Sequence, residues 1–295
     1  MFSVGTDTEY FLRDPEGQLV SAIRFIQGGK RNPVALASGG NVTYDNVAME
    51  FATPVAKSEE ELVQFVKSTL SDALTHLPKG VCLSRKSSTD FPEKELDHPD
   101  ARQFGCDPDY DAWELMMNEV DPETPNKPFR SVGGHLHVGY LEDSGNDFLL
   151  DDMGKVQVTK AFDLLLALPL TIINHSEDAV ARRKLYGKAG CHRPTSYGVE
   201  YRCLSNFWTF SPRLVRLVHS LAFEALALVR DGKVDAIIES IGVKEIQRVI
   251  NEGDFVAANK IWTETLMGLL SDEVIGKFEA VRNMEEIDIY KEWEL

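Results

Sequence analysis

The chain has 295 residues and is short of several things, each of which excludes something. It has four cysteines, Cys82, Cys106, Cys191 and Cys203, scattered with no CxxC pair. A zinc ribbon or disulfide framework is therefore excluded, and a reduced, intracellular protein is expected. At this length a core needs no such staple. Positive charge is scarce: 31 Lys and Arg stand against 47 Asp and Glu, a formal charge of −16. That excludes a generic nucleic-acid binder, which presents a basic surface, but not a nucleotide held by a few local cations. Long apolar runs are lacking as well. The longest, Leu164 to Ile173, is interrupted by Pro169 and too short to span a bilayer. The start, MFSVGTDTEYFL, lacks the basic and apolar regions of a signal peptide, so no membrane partner and a cytoplasmic location are expected. No GxxxxGK[ST] loop is present, so a nucleotide would have to be held by metals and basic side chains.

What is present reads as strands first and helices later. Phe2 to Leu12 predicts a strand ended by the turn Asp14-Pro15-Glu16-Gly17, and Thr43 to Thr53 predicts a second. Ser58 and Glu61 have capping-box spacing ahead of the stripe Leu62, Phe65, Val66, Leu70 and Leu74, which predicts a helix. A strand follows near Gly80 to Ser87. The acidic stretch Asp107 to Glu123 reads as a loop with a short helix. Further strands are expected at Ser131 to Leu141 and Gly198 to Leu204, with a long buried helix at Asp151 to Asn174 between them. Ser211-Pro212 opens a helix that Gly232 closes, and two or three more fill Val243 to Glu286. The pattern predicts an α+β fold: one domain over 1–295, a motif-bearing sheet core at 1–210 and a helical part at 211–295.

Four of the strands carry an unusual face. Residues two apart on a strand share a side. His135 and His137 share a side with Gly133 and Gly139, while Leu136, Val138 and Tyr140 take the other. Glu200 and Arg202 share a side, with Val199, Tyr201 and Cys203 behind; Asp7 and Glu9 do the same against Val4, Thr6, Thr8 and Tyr10. Glu50 lies between Met49 and Phe51, with Ala48 and Ala52 on its own side. A single such face is an ordinary solvated one. Four of them that carry carboxylates, two His and one Arg, with glycines that leave room for a ligand, suggest a convergent site. Side by side, the carboxylates could not all stay ionised without cations. Asp7, Glu9, Glu50 and Glu200 sum to −4, the charge of two divalent cations with the sign reversed, and this donor set suits Mg²⁺ or Mn²⁺ better than zinc. Paired metals are the usual clamp for phosphoryl transfer.

The segment Arg182 to Pro194 is basic and Gly-punctuated inside an acidic chain, and it feeds directly into the Glu200/Arg202 strand. An exposed loop would look the same, but Arg193 and Arg202 offer the forked contacts that suit phosphate or carboxylate.

Taken in order, GTDTE, MEFATP, GGHLHVG and YGKAGCHRPTSYGVEYR resemble the carboxylate–amine ligase superfamily of glutamine synthetase and glutamate–cysteine ligase, and within it the phage-type COOH-NH2 ligases of type 2. The resemblance implies an ATP-dependent ligase. A carboxylate, from a small molecule or peptide, becomes an acyl phosphate and is then attacked by an amine. It implies a funnel lined by a curved antiparallel sheet, helices on its outer face, and two or three Mg²⁺ or Mn²⁺ ions. By resemblance Asp7, Glu9, Glu50, His135 and Glu200 are metal ligands, with Glu50 and Arg202 at the chemistry. His137, Arg183, Lys188 and Arg193 would contact the nucleotide phosphates. The family's first motif is typically ExE; Asp7-Thr8-Glu9 shortens one ligand by a methylene, about 1.5 Å. No general base stands out for the amine: Asp107, Asp109 and Asp111 are candidates by composition, and a solvated acidic loop is the plainer reading. A homo-oligomer is left open.

Two other readings share some of these features. HxH also opens the metal site of amidohydrolase barrels, but there it lies near the first strand and the βαβ alternation of a barrel is missing here. A non-catalytic relative would have no reason to keep the acids, the His pair and the ExR.

Overall fold

Alternation along the first strand, Ser3–Tyr10, decides which way the sheet faces. Val4, Thr6, Thr8 and Tyr10 are buried on one side, and Asp7 and Glu9 are half-buried on the other. The structure is a computed structural model that describes residues 1–103, 109–119, 123–284 and 287–295. This strand lies inside a nine-stranded sheet whose paired strands all run antiparallel. From edge to edge the order is Met116–Met117, Tyr110–Asp111, Cys191–Pro194, Gly198–Tyr201, Gly134–Gly139, Ser3–Tyr10, Ala48–Ala52, Asn41–Asp45 and Val34–Ala35.

Helices cover the apolar side of this sheet. Glu59–Leu74 begins as its spacing predicts, with Ser58 Oγ accepting from the Glu61 N–H, and it buries Leu62, Val66 and Leu70. The long central helix runs from Asp152 to Ile173. It passes Pro169 without breaking because residues Asp163–Ala167 wind as a wider π turn just before it, which accommodates the missing donor. It is the one helix among the described residues long and apolar enough to cross a bilayer, and 83% of its apolar window is buried inside the protein. Pro212–Arg230 follows with Ser211 as its cap. One cluster of buried apolar side chains runs from Phe2 to Trp293.

The α+β class is as expected, and several boundaries shift. Thr43 to Thr53 is two strands, Asn41–Asp45 and Ala48–Ala52, joined by a two-residue turn with Asn46 at φ 54°. Ser131 to Leu141 breaks at Val132-Gly133; Phe129–Ser131 pairs with Ser88–Asp90 in a separate sheet. The strand near Gly80 to Ser87 shrinks to Cys82–Leu83. Between Asp109 and Glu119 the chain forms two short strands and a turn rather than a helix; Cys106 and Asp107 lie outside the described residues. The helices after Gly232 include Val234–Ile241, Val243–Glu252, Phe255–Ile261 and Asp272–Arg282, and Ile289–Trp293 is one more; Glu286 lies outside the described residues. The described cysteines Cys82, Cys191 and Cys203 are free thiols.

Candidate active site

Strand register brings the ionisable faces together. Asp7 stands opposite His135, His137 opposite Glu200, Arg193 opposite Glu200, and Glu9 opposite Glu50. All lie on the side of the sheet that the helices leave open. Like charges placed directly across a strand pair repel, so the Glu9/Glu50 pairing asks for a counter-charge.

Two groups of ligand atoms result. One atom each from Asp7, His137 and Glu200 lie within 4.8 Å of one another, as do one each from Glu9, Asp45 and Glu50. Asp7 Oδ1 is 2.9 Å from His135 Nδ1 and 3.2 Å from His137 Nε2. Asp7 Oδ1 and His137 Nε2 are buried without a properly formed hydrogen bond, which fits atoms that share an ion. Tyr197 OH, 2.6 Å from His137 Nδ1, fixes that ring from the other side. Glu200 is bracketed by cations, with Arg193 Nη1 2.7 Å from Oε2 and Arg202 Nη1 on Oε1. Arg202 Nε also lies 3.5 Å from Asp109 Oδ2.

The electrostatics separate the two groups. Burial would raise the Asp7 carboxyl, but the His135 and His137 imidazoles outweigh it and hold Asp7 well below the usual range. Burial likewise opposes Glu200, and Arg202 and His135 outweigh it, so this carboxyl too is lowered. In the second group burial wins. Together with Asp45 it pushes Glu9 up to about 8, and burial with Asp7 and Asp45 raises Glu50 well above its normal value. Lys30, 2.5 Å from Asp45 Oδ2, offsets this only in part. Three carboxylates that cannot all shed their protons unaided, offering only oxygens, form a donor set that fits a hard divalent cation. Asp7, His137 and Glu200 fit a second one, with a single nitrogen.

The expected residues are thus placed as follows. Asp7, Glu9, Glu50, His135, Glu200 and Arg202 share one face, as does Arg193. His137, expected at the phosphates, groups with Asp7 and Glu200, while His135 sits 3.6 Å from Glu200. Lys188 pairs with Asp111 at 3.2 Å, on the neighbouring strand edge. Arg183 turns away from the acids and lines a cavity of about 20 Å³, room for about one water, with Asn174, Ser205 and Ile250. Arg182 is consumed by the scaffold: it donates to the carbonyls of Val132, Cys203 and Arg202.

Two readings are corrected. Asp109 and Asp111 are buried and paired rather than solvated. The glycines around the His pair make room for the protein's own groups, not for a ligand. A Cβ on Gly133 would lie 2.6 Å from His135 Nε2, one on Gly134 2.7 Å from Trp208 Nε1, and one on Gly139 2.3 Å from Ser3 Oγ.

Asp45, Lys30, Tyr197 and Asp109 escape a reading of strand alternation. Asn46 after Asp45 is the available signal for the first, because a two-residue hairpin favours Asn in the left-handed region. For Lys30 the signal is Gly28-Gly29 just before two cations.

The strands that hold both histidines and Glu200, and Arg202 just past the second of them, lie inside the stretch that decides kinship. Residues 118–271, just over half of the chain, match the family described as phage phiEco32-like COOH.NH2 ligase-type 2. The chain belongs to that family. The family's description is that of ligases joining COOH and NH2 groups. The matched stretch contains the His pair, the basic segment and the Glu200/Arg202 strand, and it leaves out Asp7, Glu9, Asp45 and Glu50. Among solved structures, a bifunctional glutathione synthetase from Pasteurella multocida aligns over 95% of this chain with a TM-score of 0.44 and 12% identity. The chain spans about half of that protein, 51% of its length. No curated protein sequence matches the chain.

Proposed function

We propose that this family member joins a carboxylate to an amine at the expense of ATP, through an acyl phosphate, with Mg²⁺ or Mn²⁺ as cofactor. The observation that carries the reading is the convergence of two carboxylate-rich ligand groups on one sheet face, flanked by Arg193 and Arg202. Asp7, His137 and Glu200 would hold one cation; Glu9, Asp45 and Glu50 would hold another. Ions held there would supply positive charge against phosphate oxygens, so that two anionic reactants could meet.

The chain's own groups supply the rest. Arg193 and Arg202 present guanidinium forks over Glu200, where a transferring phosphoryl group can be gripped, and Lys188 adds a point charge at the edge. His135 Nδ1 lies near Asp7, Glu200 and Arg202 together and helps to orient the three. In the first step a carboxylate oxygen of the acid substrate attacks the γ-phosphorus and ADP leaves. In the second the amine nitrogen attacks the acyl carbon, phosphate leaves and the nitrogen loses a proton. Holding both anions in line is the main contribution such a site can make. The nine-stranded antiparallel sheet with an acid face and helices behind it supports the funnel of glutamine synthetase as the architecture. An ATP-dependent reaction fits a cytoplasm, that of an infected cell if the gene is carried by a phage.

The test is an incubation with ATP, Mg²⁺ and pooled amino acids and small peptides, followed by measurement of ADP and of mass-shifted products. ADP release that requires both an acid and an amine is expected. Amide cleavage without ATP would replace the ligase with a hydrolase, and silence in every pool would leave a binding role.

A further inference from the structure

Beside the Glu9/Asp45/Glu50 group the sheet edge opens into a cleft of about 530 Å³, within the range of small-molecule sites. Its wall is built by a tight turn at residues 28–32. The Gly28 carbonyl accepts from the Tyr44 N–H at 3.0 Å and from Thr43 Oγ1 at 2.7 Å, and the Asn32 N–H closes the turn onto the Gly29 carbonyl. A side chain is excluded at Gly28, where a Cβ would lie 2.4 Å from the Asn32 carbonyl oxygen, and is crowded at Gly29, where one would lie 3.1 Å from the Tyr44 ring. The turn is therefore held against the Asn41–Asp45 strand, and it delivers Lys30 and Arg31 to the cleft.

The charges of the lining are balanced and sorted. Lys30 and Asp45 pair with each other at 2.5 Å, which leaves Arg31 as the positive charge and Asp100 as the negative charge of the lining. Asp100 is held in place by Tyr44 OH at 2.7 Å, whereas Arg31 is exposed and makes no ion pair among the described residues. Gln27 and Asn32 add amides, and Tyr44 is the one aromatic ring in the lining. A polyanion such as a nucleotide gains nothing from a neutral lining, and a base finds little apolar surface. The complementary ligand carries one group of each sign.

We propose that this cleft binds a small zwitterion of the amino-acid type as one of the two substrates, its carboxylate on Arg31 and its ammonium toward Asp100. Asp45 lies both in the cleft and in the ligand group beside it, so a molecule bound here extends directly onto the acid face. Nucleotide is thereby left to the Arg193/Arg202 end. This assignment rests on the ligase reading for its meaning as a substrate site, but its occupancy can be measured alone.

The experiment is ligand-observed NMR with the full chain and the proteinogenic amino acids, each beside its N-acetyl and carboxamide counterpart. ATP binding is measured separately in Mg²⁺. Saturation transfer to at least one amino acid and to neither blocked counterpart is expected. Arg31→Ala, a change at an exposed position, should weaken that binding about tenfold or more and leave ATP affinity unchanged. The proposal is overturned if no amino acid binds, if blocked counterparts bind equally, or if Arg31→Ala and Asp100→Asn both leave binding untouched. Absence of ATP binding would instead count against the ligase reading, with the occupancy of the cleft still decided by Arg31→Ala.

Discussion

His137 and Glu200 stand directly across from one another on neighbouring antiparallel strands, and Asp7 reaches the His137 ring at 3.2 Å from the opposite neighbour. Three strands thus each give one donor to a single point. Glu200→Gln and Asp7→Asn keep shape and remove charge, and each should lower ADP release at least 100-fold, on the order of 3 kcal/mol of transition-state stabilisation. Tyr197→Phe removes only the bond that orients His137 and should cost roughly 10-fold, as loss of an outer-shell partner does. Equal activity of Glu200→Gln and the parent in a coupled ADP assay would remove Glu200 from the site.

The Glu9/Asp45/Glu50 group predicts a stability gain from cations alone. Mg²⁺ or Mn²⁺ at 100 times its dissociation constant should add about 2.7 kcal/mol to unfolding. Thermal melts with chelator and with each ion give the comparison, without ATP or substrate. Asp45→Asn, which removes one charge of the group, should shrink the cation-dependent shift. An identical shift in the variant would show that Asp45 takes no part.

Asp163 should make stability depend on pH. It is fully buried in the π turn of the central helix, where Tyr201 OH donates at 2.6 Å and Trp113 Nε1 at 2.7 Å. Burial raises its pKa from 3.8 to about 6, against the pull of those hydrogen bonds. The folded state therefore holds the proton more tightly than the unfolded chain. The stability tied to that proton is complete below pH 3.8 and is lost as pH rises through about 6, a total near 3 kcal/mol. Denaturant unfolding across pH 4 to 8 should show this loss in the parent relative to Asp163→Asn. Parallel profiles would place the titration elsewhere.

Gly133→Ala tests what the missing Cβ protects. The added methyl would crowd His135 Nε2 at 2.6 Å and Arg182 Nη2 at 2.8 Å, and Arg182 is itself pinned by three carbonyls. Overpacking of this kind costs about 1–3 kcal/mol. Activity should fall more than stability, because the ring that is displaced belongs to the site. Gly268→Ala, where nothing lies within 4 Å, serves as the neutral control in the same unfolding and ADP assays.

Much of the acid face can be read from alternation, because a period of two and a set of packing residues such as Tyr10, Phe51 and Tyr201 leave the ionisable groups only one side to occupy. Asp45 could not be read in the same way. Taken as one strand, Thr43 to Thr53 puts Asp45 with Met49 and Phe51; the turn at Asn46 reverses the chain and moves it beside Glu50. Arg182 and Arg183 look alike in a basic run, and their separate fates depend on carbonyls and a cavity assembled from distant segments. Asp109 and Asp111 look solvated because acidic loops usually are. Their burial follows from partners, Arg202 and Lys188, that only the folded sheet supplies. Pro169 gives no warning of the π turn that lets the helix continue.

The two-residue hairpin between Asp45 and Ala48 sets a parity rule for this protein. A one-residue slip of the pairing between Asn41–Asp45 and Ala48–Ala52 would carry Asp45 to the side that Val42 shares with Phe51, away from Glu50; a slip of two would restore its side. A longer corner therefore keeps the cluster only where the added residue stays in the turn and leaves this register unshifted, a constraint on pairing that involves no change in any of the three acids.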